Sequence, residues 1–342
     1  MIIKKASLEA LEHYFRDIKI IAINEKISSA TIAGDGNMNA VLRIQTDCQS
    51  FICKQSSDHV EKYPQIAAPK NRVQTEAAFY QKIKSNKKIV AYMPKMLGID
   101  AQNNILILED LGAMQDFSAL YSLRSVLSET QLLSITDYLN ELHQSFKKVT
   151  VDNELQNVAL RQLNYEHIFD YPFQIENGFD LDTIQPGLQA LSMTIKRDEA
   201  LKQTIKKLGN DYLESGISLL HGDFYPGSWL NCNGNIKIID PEFCYFGHAE
   251  FDVAVFMAHL YLTKHSNQAI TIVQSNYSNY HLLNKKRLNG FIGTEILRRL
   301  IGLAQLPLKM DLSDKLELIN KATQLIHTYN EYNLSNFIFF LC

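Results

Sequence analysis

The chain has 342 residues, with 34 Lys and Arg against 37 Asp and Glu, so its formal net charge is −3. This length corresponds to about two domains or lobes. The 46% hydrophobic and 21% charged content is that of a globular protein and excludes a mainly disordered chain. A nearly neutral chain also lacks the basic surface that general nucleic-acid binding requires.

The five cysteines, at positions 48, 53, 232, 244 and 342, are odd in number and form no CxxC pair. This pattern indicates neither a disulfide framework nor a thiolate zinc site. The N-terminal stretch lacks the apolar core of a signal peptide, and no apolar run approaches the length of a membrane helix. We therefore expect a cytoplasmic protein with no membrane partner.

In chain order, the first third is rich in predicted strands. A short helix precedes β-prone runs at 29–33, 40–45 and 51–55, and polar turns between such runs are typical of hairpins. Pro64 and Pro69 indicate a loop. Apolar residues at helical spacing predict a helix over 71–84, and a further strand over 104–109 ends at Asp110-Leu111-Gly112.

The remainder is mainly helical in pattern. A helix begins at Ser128, another covers 203–213, and the chain is helical again from Leu288 onward. Short β-like runs at 218–220 and 236–239 interrupt this pattern. A strand-rich start and a helix-rich remainder predict an α+β protein of two lobes, an N-terminal lobe of residues 1–112 and a C-terminal lobe of residues 113–342.

Three acids follow the two short β-like runs of the second half. Asp223 stands in Leu220-His221-Gly222-Asp223, and Asp240 and Glu242 stand in Ile239-Asp240-Pro241-Glu242. The turn residues 233–235 between the two runs predict a hairpin, which brings Asp223 close to Asp240. Carboxylate oxygens with open positions favour Mg²⁺, whose shell is completed by water and phosphate oxygens.

Lys54 alternates with Cys53 along its predicted strand, so it faces away from Phe51 and Cys53. A strand lysine near a glycine-rich hairpin, here Gly34-Asp35-Gly36, is suited to hold nucleotide phosphates, and Glu76 on the following helix is suited to pair with its ammonium group. In this order, the hairpin, the lysine, the helix glutamate and the two acid motifs are the parts of a protein-kinase-like phosphotransferase.

At these residues the sequence resembles the aminoglycoside phosphotransferase/choline kinase superfamily, and most of all the 5-methylthioribose kinases. Residues 34–39 (GDGNMN) are similar to the glycine-rich loop of that family, and Cys53-Lys54-Gln55 to its VKQ strand. Residues 221–228, 240–243 and 293–299 are similar to its HGDxHxGS motif, its D-x-E-F motif and its helix ending in paired arginines. The resemblance implies a bilobal kinase-like fold, with ATP and Mg²⁺ as cofactors.

One exchange supports this subgroup. Most kinase-like folds place a metal-binding Asn five residues after the catalytic Asp, whereas this chain has Ser228 there and gains Glu242 two residues after Asp240. An additional carboxylate restores the charge compensation for a metal. The loss of the Asn together with the gain of D-x-E marks the methylthioribose kinases.

The resemblance assigns the catalytic and metal roles. Asp223 is the expected catalytic base, which accepts the proton of the acceptor hydroxyl or orients that hydroxyl for attack. Asp240 and Glu242 are the expected Mg²⁺ ligands; for Glu242 the alternative is a surface charge beside Pro241. Ser228 is an expected hydroxyl ligand, with a local turn hydrogen bond as the alternative.

The nucleotide is expected on the N-terminal lobe. Lys54 is expected to bridge its phosphates, and Glu76 to orient Lys54. The resemblance implies that Asn39 contacts the nucleotide, and the alternative is that Asn39 only begins a strand. The backbone groups of Glu109, Asp110 and Leu111 are the expected adenine-binding hinge.

The paired arginines are expected to bind the acceptor. Arg298 and Arg299 lie about 100° apart on a helix and so cannot share one face. Arg299 stands four residues after Glu295, the favourable order for a surface ion pair, which leaves Arg298 as the residue that binds substrate and stabilises the transferring phosphoryl group. By resemblance Arg299 also belongs to the substrate site.

The predicted activity is ATP- and Mg²⁺-dependent phosphorylation of a small hydroxylated metabolite by a monomer or homodimer, with 5-methylthioribose or a related sugar first. The only tryptophan, Trp229, and the stretches around residues 227–229 and 245–252 also resemble fructosamine kinases. Fructosamine- or aminoglycoside-type phosphotransfer is therefore an alternative. A nucleotide-binding pseudokinase without turnover is the other alternative, and Ser228 is its sequence support.

Overall fold

The computed structural model describes residues 1–34, 38–122, 125–150, 155–232 and 234–330. Asp35, Gly36 and Asn37 of the predicted glycine-rich loop lie outside the described residues, as do Asn233 of the predicted hairpin turn and Cys342.

Helices and strands alternate in the first part of the chain and helices dominate later, which confirms the α+β class. The strands are β1 (Ile27–Ile32), β2 (Ala40–Thr46), β3 (Ser50–Gln55), β4 (His59–Val60), β5 (Tyr63–Ala67), β6 (Met96–Asp100), β7 (Ile105–Glu109), β8 (Gln115–Asp116), β9 (Ser218–Leu220), β10 (Trp229–Cys232), β11 (Asn235–Ile238) and β12 (Tyr245–Gly247). The α-helices are α1 (Leu8–Asp17), α2 (Arg72–Ile83), α3 (Lys87–Ala91), α4 (Glu129–Ser145), α5 (Val158–Tyr165), α6 (Leu188–Lys196), α7 (Glu199–Leu213), α8 (Glu250–Leu262), α9 (Asn267–Asn276), α10 (Lys285–Ile301) and α11 (Leu312–His327).

A five-stranded antiparallel sheet in the order β1-β2-β3-β7-β6 organises the N-terminal region. Its central strand β3 pairs Cys53 with Leu42 of β2 and with Ile107 of β7. Phe51 and Cys53 belong to a buried cluster with α1, where the Phe15 and Phe51 rings lie 4.9 Å apart. Because side chains alternate along a strand, Lys54 points to the opposite face, as predicted.

The chain packs as two compact units, each made of several segments. The first unit comprises residues 1–117, 141–163 and 219–246, and the second comprises 118–140, 164–218 and the chain from 247 onward. These bounds do not follow a single division near Gly112, because the hairpin β10–β11 and the segments around it pack with the N-terminal sheet region. The lobes 1–112 and 113–342 stay a prediction about where nucleotide and acceptor bind.

In the second unit, α10 packs against α8 and α11. The Phe251 and Phe291 rings meet edge to face at 5.4 Å. Gly293 allows α10 to approach α11 closely, because a Cβ atom there would lie 2.4 Å from the carbonyl oxygen of Ala322. This packing buries the end of α10 that carries the paired arginines.

Most predicted elements occur where the pattern places them, and the differences have local causes. Pro64 lies in β5 rather than in a loop, because β4–β5 is a short ribbon that tolerates a proline. The helix predicted over 203–213 begins earlier, at Glu199, because the Asp198 side chain caps it by accepting a hydrogen bond from the Leu201 amide. Among the helices of the described part of the chain, none is long and apolar enough to cross a bilayer.

Candidate active site

Lys54 is the centre of an ion-pair network in the first unit. Its Nζ donates to Glu76 Oε2 at 2.7 Å and to Asp240 Oδ1 at 2.6 Å. The side chains of Lys54 and Glu76 are almost fully buried, whereas that of Asp240 is 45% exposed. The pairing of Lys54 with Glu76 was predicted from the sequence, whereas its ion pair with Asp240, the acid after β11, was not.

Burial and the neighbouring charges shift the pKa values of the groups in this network. Burial disfavours the charge of Lys54, but the carboxylates of Asp240, Glu76 and Glu242 raise its pKa above the ordinary value. Burial raises the pKa of Glu76 to about 7, against the opposing effect of Lys54. One oxygen of Glu76, Oε1, has no hydrogen-bond partner among the described residues, so Lys54 is the main support of this buried carboxylate.

A second network surrounds Glu242, which is buried rather than a surface charge. Asn39 Nδ2 donates to Glu242 Oε2 at 2.9 Å, and Asn39 Oδ1 accepts from Arg72 Nε at 2.8 Å. Arg72 Nε lies 3.7 Å from Glu242 Oε2. Burial raises the pKa of Glu242, partly offset by Lys54. Both ends of the Asn39 amide are thus held within the protein.

The loop of Asp223 is fixed by backbone contacts. His221 is buried, and its Nε2 bonds the carbonyl oxygen of Ile239 at 2.9 Å, which assigns the proton to Nε2 and ties this loop to the end of β11. His221 therefore has a structural role in this loop. Gly222 has a φ of +86°, and a Cβ atom there would lie 2.1 Å from the Phe243 carbonyl oxygen, so the loop requires glycine.

Ser228 occupies the position of the missing Asn. Its hydroxyl donates to the Asp223 carbonyl oxygen at 2.9 Å, which is the local turn hydrogen bond considered as its alternative role. A hairpin occurs at the predicted turn, with Trp229 paired to Ile238, and the Ile239 amide extends it by donating to the Ser228 carbonyl at 3.0 Å. Its first strand is β10, which was not predicted, whereas the predicted run 218–220 forms β9 and pairs with β12. The hairpin therefore joins the two acid motifs.

Asp240 adopts a left-handed backbone conformation, with φ 64° and ψ 48°. This conformation is uncommon for a non-glycine residue and costs free energy, so the surrounding contacts must hold it. Such strained residues concentrate at functional sites. Asp240 also begins the short helical turn that carries Glu242, and so the backbone geometry at Asp240 sets the direction of both acids.

The oxygen donors of Asp240 and Glu242 fit a hard divalent cation such as Mg²⁺. A metal ion could be held where the ligand atoms of three Asp, Glu, His or Cys side chains lie within 4.8 Å of one another. In the described part of the chain this occurs only at Glu25, Asp47 and Cys48. Asp223, Asp240 and Glu242 therefore do not close into a three-carboxylate cluster. Two carboxylates leave positions for water and phosphate oxygens, as Mg²⁺ sites usually do.

The predicted hinge follows β7. Asp110 accepts a bidentate ion pair from Arg43, at 2.8 and 3.0 Å, and a hydrogen bond from the Gly112 amide at 2.9 Å. Although burial opposes it, hydrogen bonds including that from Arg43 lower the pKa of Asp110. The Glu109 amide donates to the Lys95 carbonyl at 2.8 Å. The Asp110 side chain thus fixes the shape of the segment.

The paired arginines belong to the second unit and differ from expectation. Arg299 Nε donates to Glu295 Oε1 at 2.8 Å, and Arg298 Nε donates to Glu295 Oε2. All three side chains are buried. The expectation of a surface pair between Glu295 and Arg299 is therefore wrong, and both arginines bond Glu295 although their Cα directions differ by about 100°. Glu295, three and four residues before them, reaches both guanidinium groups with its two oxygens.

Glu295 is also held from α8. His259 Nε2 lies 3.0 Å from Glu295 Oε1, and the Tyr121 hydroxyl lies 2.6 Å from His259 Nδ1. Burial lowers the pKa of His259 to about 4, so it is neutral at pH 7. Although burial opposes ionisation, Arg298 and Arg299 hold the pKa of Glu295 well below its usual range.

Two charged residues of these networks, Arg72 and Arg43, make contacts that the sequence patterns did not reveal. Arg72 stands in the first turn of α2, where a cation is unfavourable next to the helix dipole, and this position was the available indication of a special role. Arg43 carries no such indication, because alternating charged residues are ordinary on strands.

Comparison with known structures places the fold among small-molecule kinases. Choline kinase LicA from Streptococcus pneumoniae superposes over 94% of this chain and 99% of its own, with a TM-score of 0.53 and 15% identity. Spectinomycin phosphotransferase, solved with ADP and spectinomycin, superposes over 94% and 98%, with a TM-score of 0.53 and 13% identity. The fold is therefore that of the kinase-like phosphotransferases.

The sequence identifies the family. The model of the phosphotransferase enzyme family matches residues 29–283, and the chain belongs to this family. It is 28% identical over 256 residues to a methylthioribose kinase of Exiguobacterium sibiricum and 25% identical over 246 residues to one of Bacillus thuringiensis. These alignments cover 70% and 69% of this chain, but 62% and 61% of the relatives, so the chain spans less than two thirds of their length.

Proposed function

We propose that this protein is a cytoplasmic small-molecule kinase that transfers the γ-phosphoryl group of ATP, with Mg²⁺, to a hydroxyl of a small metabolite. The observation that carries the proposal is the buried Lys54, bonded at once to Glu76 and to Asp240. A phosphate-binding lysine, a glutamate that orients it and an acid next to a metal position are the parts that phosphoryl transfer requires.

The nucleotide is proposed to bind with its phosphates at Lys54 and its adenine at the backbone of residues 109–111. Lys54 is preorganised, because two carboxylates fix its ammonium group before any phosphate arrives. Mg²⁺ held by Asp240 and Glu242 would neutralise charge on the phosphate oxygens. Ser228 is the weaker candidate ligand, since its hydroxyl is used by the Asp223 carbonyl.

Asp223 is the proposed base. Its loop is held rigidly by His221 and Gly222, and its carboxylate is proposed to orient the acceptor hydroxyl in line with the γ-phosphoryl group and to accept its proton. This role predicts a loss of transfer without a loss of nucleotide affinity when the carboxylate is removed.

The proposed acceptor is 5-methylthioribose or a related sugar. Support comes from the two methylthioribose kinases aligned with this chain and from the paired arginines. In the proposal Arg298 and Arg299 bind acceptor oxygens, and Arg298 also stabilises the transferring phosphoryl group. Two guanidinium groups on one carboxylate retain a net positive charge, which disfavours cationic acceptors such as choline and aminoglycosides.

The test is a nucleotide-consumption assay with 5-methylthioribose, fructosamine, choline and an aminoglycoside, with and without EDTA. We expect turnover with the sugar, dependent on Mg²⁺. Asp223→Ala should reduce turnover at least 100-fold and bind MgADP as the wild type does, whereas the exposed-site control Asp137→Asn should match the wild type. Binding of MgADP without phosphorylation of any acceptor would instead establish the pseudokinase alternative. The proposal includes a monomer or homodimer, which light scattering distinguishes.

A further inference from the structure

Arg72 is buried and has an unusual set of partners. Its five N–H donors all find acceptors: Nε bonds Asn39 Oδ1, Nη1 bonds the Ser57 and Pro69 carbonyls at 2.6 and 3.0 Å, and Nη2 bonds the Met38 and His59 carbonyls. None of these acceptors carries a charge. The nearest carboxylate oxygen shown is that of Glu242, 3.7 Å away.

The orientation of Asn39 follows from this arrangement. A guanidinium only donates hydrogen bonds, so the Asn39 oxygen must face Arg72 and the Asn39 amino group must face away from it. The amino group then donates to Glu242 Oε2 at 2.9 Å. Arg72 therefore determines that the amino group of Asn39, and not its oxygen, faces Glu242.

Arg72 and Glu76 stand four residues apart on α2, one above the other on the same face. Glu76 reaches Asp240 through Lys54, and Arg72 reaches Glu242 through Asn39. Both carboxylates of the D-x-E motif are thus connected to one helix face, each through one intermediate side chain.

We propose that Arg72 is a positioning residue that sets the rotamer of Glu242 through Asn39, and that it anchors the backbone at Met38, within the segment 34–39 that resembles the glycine-rich loop. This inference rests on the proposed function, in which Glu242 is a metal ligand and the glycine-rich segment covers the nucleotide. In this proposal Arg72 itself touches neither nucleotide nor metal. Its loss should therefore weaken the use of MgATP more than it slows the chemical step.

The experiment uses four variants of the full chain. Arg72→Met removes all the donors, Arg72→Lys keeps three donors and the charge, Asn39→Ala removes only the bridge, and Glu242→Ala removes the terminal acceptor. The control is Arg16→Met, a partly buried arginine of the same unit that bonds the Glu25 carbonyl. Thermal unfolding establishes which variants are folded.

Kinetics provide the first measurement. We expect Arg72→Met to raise the KM for MgATP at least tenfold and to shift the Mg²⁺ dependence to higher concentration, with kcat changed less than threefold. Arg72→Lys should recover part of this loss, and Asn39→Ala should reproduce it. Combining Arg72→Met with Glu242→Ala should add little to Glu242→Ala alone, because the two residues act along one path. Fully multiplicative effects in this double variant overturn the inference.

Hydrogen exchange provides a measurement that does not depend on the proposed function. In the protein without nucleotide, Arg72→Met should accelerate amide exchange in peptides covering residues 38–42 at least tenfold, and Arg16→Met should leave it unchanged. Unchanged exchange in folded Arg72→Met or Arg72→Lys refutes the proposal that Arg72 anchors the backbone at Met38. If the wild type binds no nucleotide, the proposed function fails, and exchange still decides whether Arg72 holds this segment.

Discussion

Replacing Lys54 by Met tests the central network through a pH-dependent change in stability. The variant removes the cation that supports the buried carboxylate of Glu76, while methionine keeps most of the apolar stem of the lysine. Glu76 is then left to bury its charge without a partner or to bind a proton. We expect the second outcome, because an unpaired buried carboxylate is the more costly state.

The magnitude follows from the pKa of Glu76, which is raised to about 7 in the wild type. Without Lys54 this pKa rises further, so the carboxyl stays neutral at pH 8.5. In the wild type it is ionised at that pH, about 1.5 pH units above its pKa, which contributes about 2 kcal/mol at 1.36 kcal/mol per unit. At pH 5.5 the carboxyl is neutral in both proteins. The loss of unfolding free energy in Lys54→Met, relative to the wild type, should therefore be about 2 kcal/mol larger at pH 8.5 than at pH 5.5.

Urea unfolding followed by tryptophan fluorescence measures this difference, because Trp229 is the only tryptophan and lies fully buried in the first unit. The matched control is the exposed Lys84→Met. In the background of Glu76→Gln, the pH dependence of the Lys54→Met deficit should disappear. A deficit that is equal at both pH values, or that persists in the Glu76→Gln background, would show that Glu76 does not depend on Lys54.

The second unit offers two further tests. Glu295→Gln leaves a neutral amide between two buried guanidinium groups, and we expect a loss of about 3 kcal/mol or more in unfolding free energy, together with a raised KM for the acceptor; unchanged stability contradicts the buried network. Burial lowers the pKa of His259 and of His265 to about 4 each. Since the folded state opposes their protonation, stability should fall from pH 6.5 towards pH 4 by about 1.4 kcal/mol per pH unit for each, and His265→Gln should remove one such contribution.

Strand alternation and local pairing were visible in the sequence. The period of two along β3 predicted that Lys54 faces away from Phe51 and Cys53, and turn residues predicted the hairpin that joins the two acid motifs. Pairing with strands distant in the sequence was not visible, and so β6 at the sheet edge was not predicted. Its Gly98 weakens the apolar pattern by which strands are recognised.

The paired arginines show where angular reasoning fails. The helical wheel correctly separates the Cα directions of Arg298 and Arg299 by about 100°. A guanidinium lies several bonds away from its Cα, and Glu295 presents two oxygens to neighbours three and four residues on. Burial by α8 and α11 then makes convergence on one carboxylate favourable, since a buried cation requires a partner. Burial depends on tertiary packing, which spacing alone does not contain.

The exchange of Asn for Ser228 and the gain of Glu242 change what the surrounding protein must supply. An amide ligand is neutral. A carboxylate such as that of Glu242 has its pKa raised by burial, so it needs a nearby cation to stay ionised. Lys54 provides most of this positive charge, and Arg72, 3.7 Å away and itself disfavoured as a cation by burial, adds to it.

Lys54 and Arg72 together contribute two positive charges against the three carboxylates of Glu76, Asp240 and Glu242. When all five groups are ionised, the net charge of this set is −1. The more exposed carboxylate, that of Asp240, faces the region where a cation can approach. A divalent cation reverses the sign of the set and so creates an attraction for nucleotide phosphates. In the proposed enzyme, metal and nucleotide should therefore bind with positive cooperativity, and Glu242→Gln should weaken binding of Mn²⁺ alone more than binding of ADP alone.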